Sequence, residues 1–228
     1  MENTKHLIVG MGEIGRPIYN ILKEFYDTDS FDQKDAKQLE KVYNVIHICF
    51  GHKDNEVEDF IEWIIDYQER FLIEGGLTII HSTVAVGTCL ILNAVHSPVR
   101  GQHKMMEKGI RTFVKFFGGE RSGEASEYFR KIGIKVMIFD SAKTTEAMKL
   151  FDTQYYKVCI EFAQRVKKYC DKHSLNYSDV YRLANLTYNE GYKELGYSHF
   201  TRPILEPIMT EIKGHCVMPN DKLLSLSE

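Results

Sequence analysis

Gly10-Met11-Gly12-Glu13-Ile14-Gly15 is the stretch whose residue types could do chemistry through the backbone alone. A short apolar run, His6 to Val9, precedes it, and an amphipathic segment to Lys23 follows at once, so the order is strand, glycine turn, helix. That order suits a pyrophosphate. Gly10 permits the sharp turn, Gly12 lets the backbone approach the phosphates, and Gly15 lets helix and strand pack closely. The N–H groups and dipole at the helix start then hold the negative charge. The plain alternative is a structural turn. The same pattern asks for an acid about 20 residues further on, at the end of the second strand. Asp27, Asp29 and Asp32 all lie in that region. Spacing favours Asp32 as the partner of the adenosine ribose hydroxyls, with Asp27 and Asp29 open and a solvated turn as the bland reading of all three. A carboxylate there favours NAD over NADP, whose extra phosphate it would repel, and no arginine follows closely to receive that phosphate. Phe50 and Gly51, at the end of the apolar run Val42 to Phe50, are expected against the adenosine half.

Side chains offer fewer signals. Lys149 interrupts the apolar face of a long helical segment, where lysine is seldom buried without reason; the alternative is a snorkelling surface lysine. His215 precedes Cys216 and could activate it, although adjacent side chains often diverge. Arg202 suits a phosphate or carboxylate, and equally an interface ion pair. His47, His81 and His96 lie in or just after strands and read as satisfied core histidines. Cys49, Cys89 and Cys159 have apolar neighbours and read as packing residues.

Composition narrows the classes. The 228 residues are 43% hydrophobic and 27% charged, which fits a globular protein of one large or two small domains. A net charge of −3 argues against nucleic acid as partner. No signal-peptide-like or bilayer-length apolar run is present, so no membrane association is expected, and nothing is expected to precede the fold. Five scattered cysteines without a C-x-x-C pair read as reduced thiols in a cytoplasmic protein, and the nine histidines show no zinc spacing.

The elements that must position these residues alternate from residue 5 to about 140. Strands are expected at 42–50, 77–81, 94–97, 111–117 and 135–139. Helices are expected from an Asp54 cap to about Glu69, over Gly87–Asn93, and from a Ser122 cap to about Ile132. This is the pattern of a Rossmann-type doubly wound parallel sheet, assigned to residues 1–140. Residues 141–228 form a small all-helical domain. Its long helix spans 144–173, where Met148, Phe151, Tyr155, Val158, Phe162, Val166 and Tyr169 recur at helical steps. So much apolar surface predicts packing on the sheet domain and a homodimer through that helix. A further helix is expected from a Ser178 cap to about Asn185, irregular structure over 187–202, and a short helix over 204–212.

Four more pieces complete a resemblance: Ser82-Thr83-Val84-Ala85-Val86-Gly87-Thr88, Ser97-Pro98, Thr145-Glu146-Ala147-Met148-Lys149-Leu150 and Gly214-His215-Cys216. With the glycine turn, and in this order, they resemble the nucleotide-sugar 6-dehydrogenases of UDP-glucose and UDP-N-acetylmannosamine type. The resemblance implies an NAD-dependent oxidoreductase acting on a sugar-like small molecule. It implies that Cys216 attacks the aldehyde formed by a first hydride transfer, a second transfer giving a thioester that water cleaves. It implies Lys149 as the oxyanion-stabilising amine and Thr83 as the residue that orders water beside the nicotinamide. A thiolate beside an ammonium has the lowered pKa this needs.

The departures are specific. Val99 stands where the family has a glutamate, Thr153 where it has an asparagine, and Asn220, with Asp221 next, where it has an aspartate. The family's third, nucleotide-binding domain has no counterpart in these residues. These departures motivate an alternative, a dinucleotide-binding protein without dehydrogenase activity. Ser97-Pro98-Val99-Arg100-Gly101 also resembles the substrate-binding segment of β-hydroxyacid dehydrogenases (6-phosphogluconate and 3-hydroxyisobutyrate type), in which the long-helix lysine is the acid/base.

Overall fold

The computed structural model of the protein describes residues 4–32, 39, 42–51, 57–207, 220 and 222–224. The chain divides into two compact units, Met1–Leu150 with Lys222–Glu228, and Phe151–Asp221.

The first unit is built on seven strands: β1 (Lys5–Val9), β2 (Asp27–Phe31), β3 (Tyr43–Ile48), β4 (Leu72–Ile80), β5 (Val95–His96), β6 (Lys115–Gly118) and β7 (Val136–Phe139). They form one sheet in the order β2-β1-β3-β4-β5-β6-β7. All pairs are parallel except β5 with β6. The helices α1 (Gly15–Leu22), α2 (Val57–Phe71), α3 (Thr88–Ile91), α4 (Met106–Thr112) and α5 (Ser122–Arg130) connect them, so the expected Rossmann-like architecture is present.

Strand alternation explains the two-sided core. Leu7, Val9, Ile46, Ile48 and Ile80 face one way, against Phe60, Ile64 and Phe71 of α2. Ile8, Val45, Leu77 and Ile79 face the other, against Ile18, Met106 and Phe129. Central strands buried on both sides need near-continuous apolar runs, and each such side chain contributes roughly 1.5–3 kcal/mol.

Several boundaries differ from expectation. Residues 106–112 are helical, so the strand expected over 111–117 starts only at Lys115. Gly109 lets α4 approach Arg100, whose carbonyl would lie 3.1 Å from an added Cβ. The strand expected over 77–81 begins earlier, at Leu72, and includes Gly75 and Gly76. They form an irregularity inside β4, where the register jumps from Tyr43↔Leu72 to Val45↔Leu77, with Gly75 at φ +71°. Ser122 is the first residue of α5 and makes no capping bond. The Asp54 cap lies outside the described residues.

The helix α6 (Ala142–Lys172, 31 residues) runs on from the first unit into the second. In the second unit a π-helical turn, Ser178–Leu183, leads into α7 (Ala184–Glu194), so helix replaces the irregular structure expected from 187. Ser178 donates no cap; its own N–H bonds the Asn176 side chain. Residues 201–207 have no regular structure, and the rest of the helix expected over 204–212 lies outside the described residues. Among the described residues no helix is long and apolar enough to cross a membrane.

Candidate functional site

The glycine turn is built as its residue types require. Gly10 has φ +90°, a backbone region that side chains with a Cβ rarely adopt. A Cβ on Gly15 would stand 1.8 Å from the Gly10 carbonyl oxygen, so only glycine lets α1 begin this close to β1. Gly12 faces open space, and Gly12 and Glu13 are exposed. Met11 and Ile14 are half-buried and pack on the core from within the turn. The N-cap of α1 is Ile14, which makes no side-chain cap bond, and the first turn carries no acid. The Arg16 N–H donates to Gly12 O at 3.2 Å and Pro17 has no N–H, so what the helix start offers an anion is chiefly its dipole, which no acid in the first turn offsets.

The three acids separate by geometry. Asp27 lies 3.7 Å from Lys5. Asp29 accepts a 2.8 Å hydrogen bond from the Tyr43 hydroxyl. Asp32 accepts from the Met11 backbone N–H at 3.1 Å, while the Gly10 N–H donates to Phe31 O at 2.8 Å. The end of β2 and the turn are thus tied together, and Asp32 is the acid brought to it. Phe50, packed on Phe60 and Trp63, and exposed Gly51 follow β3. Because β2 and β3 lie on opposite sides of β1, the strand order reverses here, and such sheets bind ligands outside these carboxyl ends.

The loop after β4 holds Thr83. The Ser82 hydroxyl donates to Phe50 O, joining this loop to the end of β3. Val84 is buried and Thr83 half-buried. The loop's far end is held by Glu146, fully buried, whose carboxylate accepts from the N–H of Gly87 at 2.7 Å and of Cys89 at 2.8 Å. That contact explains the buried acid in Thr145-Glu146-Ala147-Met148-Lys149-Leu150: a carboxylate on α6 caps α3. Thr145 meets His96, Nδ1 to Oγ1 3.0 Å, and His96 Nε2 donates to Ser82 O at 3.1 Å. Lys149, half-buried one turn further along α6, is near enough for its charge to oppose protonation of His96. Burial is the larger cause, and His96 is held down to about 3. Val99 is buried, with Arg100 beside it donating to Val114 O at 2.8 Å.

Gly214, His215, Cys216 and Asp221 lie outside the described residues. Two of the departures nevertheless meet: the Asn220 side-chain amide donates to Thr153 Oγ1 at 3.1 Å. Leu223 packs with Leu150 and Ala85. The chain seven residues past Cys216 is therefore anchored beside the residue that follows Lys149.

Sequence reasoning passed over one cluster in the first unit. His6, His47 and His81 face the same side of the sheet, fully buried. They form a row: His6 Nδ1 to His47 Nε2 3.0 Å, His47 Nδ1 to His81 Nε2 3.0 Å, His81 Nδ1 to Ser97 O 2.8 Å. Lys115 Nζ donates to the same carbonyl at 3.0 Å and lies 3.2 Å from His81 Nδ1. Burial lowers all three histidines, His6 to about 4, and lowers Lys115 to about 7. The expected core role for His47, His81 and His96 holds, and each is hydrogen-bonded. The signal that was available is a lysine next to Phe116-Phe117 in a strand. Cys49, Cys89 and Cys170 are buried, and burial raises the Cys49 and Cys89 thiols; Cys159 is only half-buried. Among the described residues no group of three or more His, Cys, Asp or Glu is arranged to hold a metal ion.

Neither a protein-family profile nor a curated protein sequence matches the chain. Solved structures do. The UDP-D-ManNAc dehydrogenase of Pyrococcus horikoshii aligns with a TM-score of 0.77 at 20% identity, over 97% of this chain and 64% of that one. The UDP-N-acetyl-mannosamine dehydrogenase of Staphylococcus aureus gives 0.70 at 20%, over 96% and 65%. The 3-hydroxyisobutyrate dehydrogenase of Mycobacterium tuberculosis gives 0.61 at 14%, over 79% and 69%. The chain thus spans 64% and 65% of the length of these two sugar-nucleotide enzymes, under two thirds. Its fold is that of the nucleotide-sugar dehydrogenases.

Proposed function

We propose that the protein is an NAD-dependent oxidoreductase that oxidises a hydroxyl- or aldehyde-bearing carbon of a small, sugar-like substrate. The observation that carries this reading is the turn itself: Gly10 at positive φ, Gly12 open, Gly15 with no room for a Cβ, and Asp32 bound to the Met11 N–H. The cofactor's chemistry, when bound, is acceptance of a hydride. The turn and the α1 start bind its phosphates, Asp32 its ribose hydroxyls, and Phe50 and Gly51 flank the adenosine. Thr83 orders water beside the reacting carbon, Lys149 stabilises developing negative charge on oxygen, and Cys216 is the nucleophile. The Thr153–Asn220 bond and the Leu223–Leu150 contact support that last assignment, because they tether the chain on the far side of Cys216.

The test is NAD reduction, followed by absorbance of the reduced nicotinamide, over a panel of sugars, nucleotide sugars and hydroxyacids. Lys149→Ala and Cys216→Ser should abolish turnover while NAD affinity by calorimetry is kept. Turnover unaffected by both substitutions would refute the assignment. Buried Val99, in place of a carboxylate, favours a second reading: NAD binds and no substrate is oxidised. Calorimetric affinity with no turnover across the whole panel would select it.

We further infer a homodimer formed through the second unit and a cytoplasmic location. Phe151, Tyr155, Val158, Phe162 and Tyr169 leave an exposed apolar stripe along α6. It borders a cavity of about 240 Å³ lined by Tyr155, Phe162, Tyr181 and Arg202, whose guanidinium lies 3.5 Å from the Tyr188 ring centre. Contiguous apolar surface of this kind supports an interface. The four described cysteines are free thiols, which suits a reducing compartment.

A further inference from the structure

The loop from Ser82 to Cys89 is held at both ends by neighbouring residues of α6. Ser82 opens it with two polar groups fixed: its hydroxyl donates to Phe50 O, and its carbonyl accepts from His96 Nε2 at 3.1 Å. His96 is fully buried in β5, opposite Ile80 of β4, and its other ring nitrogen meets the buried Thr145 hydroxyl at 3.0 Å. At the far end the Gly87 and Cys89 N–H groups donate to the Glu146 carboxylate at 2.7 and 2.8 Å. Between the ends Ala85 packs with Leu150, and its carbonyl accepts from the Thr88 N–H and hydroxyl at 3.2 and 2.8 Å. Thr83 lies inside this clamped segment, half-buried.

Proton counting fixes the direction of the Ser82 end. A neutral imidazole carries one N–H, and burial keeps His96 neutral, held down to about 3. A carbonyl can only accept, so the ring proton sits on Nε2 and Nδ1 is a bare acceptor. The Thr145 hydroxyl has one proton and two acceptors in reach, His96 Nδ1 and Ala142 O, each at 3.0 Å. Ala142 O opens α6 and has the helix's own N–H four residues on as a donor. Among the described residues Nδ1 has the hydroxyl, and without its proton a buried acceptor would be left unpaired. The relay therefore runs from Thr145 O–H to His96 Nδ1, and from His96 Nε2–H to Ser82 O.

We propose that Thr145 and His96 are positioning residues for the reaction assigned above. Thr145 orients the ring, the ring holds the Ser82 carbonyl, and Glu146 holds the other end of the loop. Thr83 is thereby fixed to the part of α6 that carries Lys149. Thr145 and Lys149 are four residues apart, which places them on one face of that helix. The group assigned to order water and the group assigned to steady the oxyanion are kept in one relation by hydrogen bonds of their neighbours. This positioning matters only on the reading of Thr83 and Lys149 given above, whereas the clamp exists without it.

The experiment uses the full chain and three substitutions. Thr145→Val keeps the shape and removes the hydroxyl, Thr145→Ser keeps the hydroxyl, and Thr83→Val removes the group being positioned. Hydrogen exchange over residues 82–89, followed by mass spectrometry, should rise about tenfold in Thr145→Val, the factor of one hydrogen bond, and return toward the original rate in Thr145→Ser. Unchanged exchange in Thr145→Val would overturn the proposal, with or without a substrate in hand. On a substrate found in the panel, Thr145→Val should lower kcat about tenfold at unchanged NAD affinity, and adding it to Thr83→Val should cost nothing further. Full kcat in Thr145→Val, or independent losses in the double variant, would overturn the positioning role. If the unsubstituted chain turns over nothing in the panel, the oxidoreductase reading fails and the exchange result decides the clamp by itself. If Thr145→Val does not fold, 15N-histidine spectra of the unsubstituted chain decide: a His96 proton on Nε2 supports the relay, and one on Nδ1 overturns it.

Discussion

Acid should unfold the first unit at a pH where most globular domains are still stable. His6, His47, His81 and His96 are buried neutral, with pKa values lowered from 6.5 to about 4 for His6 and about 3 for His96, and well below 6.5 for the other two. The unfolded chain binds protons at these four positions as pH falls through 6.5, and the folded chain does not until well below it. Protons therefore favour the unfolded state, and stability present above pH 6.5 is lost as pH falls toward the folded values. Between pH 7.5 and 5.0 His6 and His96 each cost about 2 kcal/mol, about 4 kcal/mol together, and His47 and His81 add to the loss in the same direction, against a typical total of about 5–15 kcal/mol. Below about pH 6 His6 and His96 alone bring the slope toward two protons, about 3 kcal/mol per pH unit, and His47 and His81 steepen it. Lys115 extends the trend upward. Its folded pKa of about 7 lies below the ordinary 10.5, so stability should continue to rise with pH between these values. The assay is urea unfolding, followed by circular dichroism, at a series of pH values from about 5 to 8. A slope below pH 6 equivalent to fewer than two protons would refute the reasoning. His96→Gln, which removes one titrating ring, should lower the slope by one proton.

Four further outcomes follow from individual contacts. Gly15→Ala places a Cβ 1.8 Å from Gly10 O and should abolish NAD binding by calorimetry, with a fall in Tm. Asp32→Ala should weaken NAD binding by about tenfold or more, the scale of one charge-assisted hydrogen bond, and weaken NADP binding less. Glu146→Ala leaves the N–H groups of Gly87 and Cys89 without their acceptor, at about 1–3 kcal/mol each, measurable by urea unfolding at neutral pH. Phe162→Asp puts a charge on the exposed stripe of α6 and should yield a monomer in analytical ultracentrifugation, with the first unit's stability unchanged.

Much of the first unit was legible because its signals are local. The Val42–Phe50 run, the glycine turn and the steps of α6 each report their element through nearest neighbours in sequence. Helix α4 was not, because Met106-Glu107-Lys108-Gly109-Ile110-Arg111 holds a glycine and few apolar residues. Its helical form depends on Met106 and Ile110 finding the sheet. Residues 187–194 were misread for a similar reason: glycine and tyrosine lower helix propensity, yet the segment continues a turn already formed at Ser178–Leu183.

The sequence by itself determined the glycine turn, the alternation around it and the order of the motif pieces, since covalent spacing alone decides what one turn and the next helix can present. It left three acids equivalent, left Glu146 without a role, and made Thr153 and Asn220 look like two independent losses. Tertiary structure decided these. It gave Asp32 the Met11 N–H, Glu146 the start of α3, and Thr153 and Asn220 each other. It also drew three histidines and a lysine from four separate strand regions into one hydrogen-bonded row. A hydrogen bond needs two groups within about 3 Å, and for residues tens of positions apart only the folded chain sets that distance.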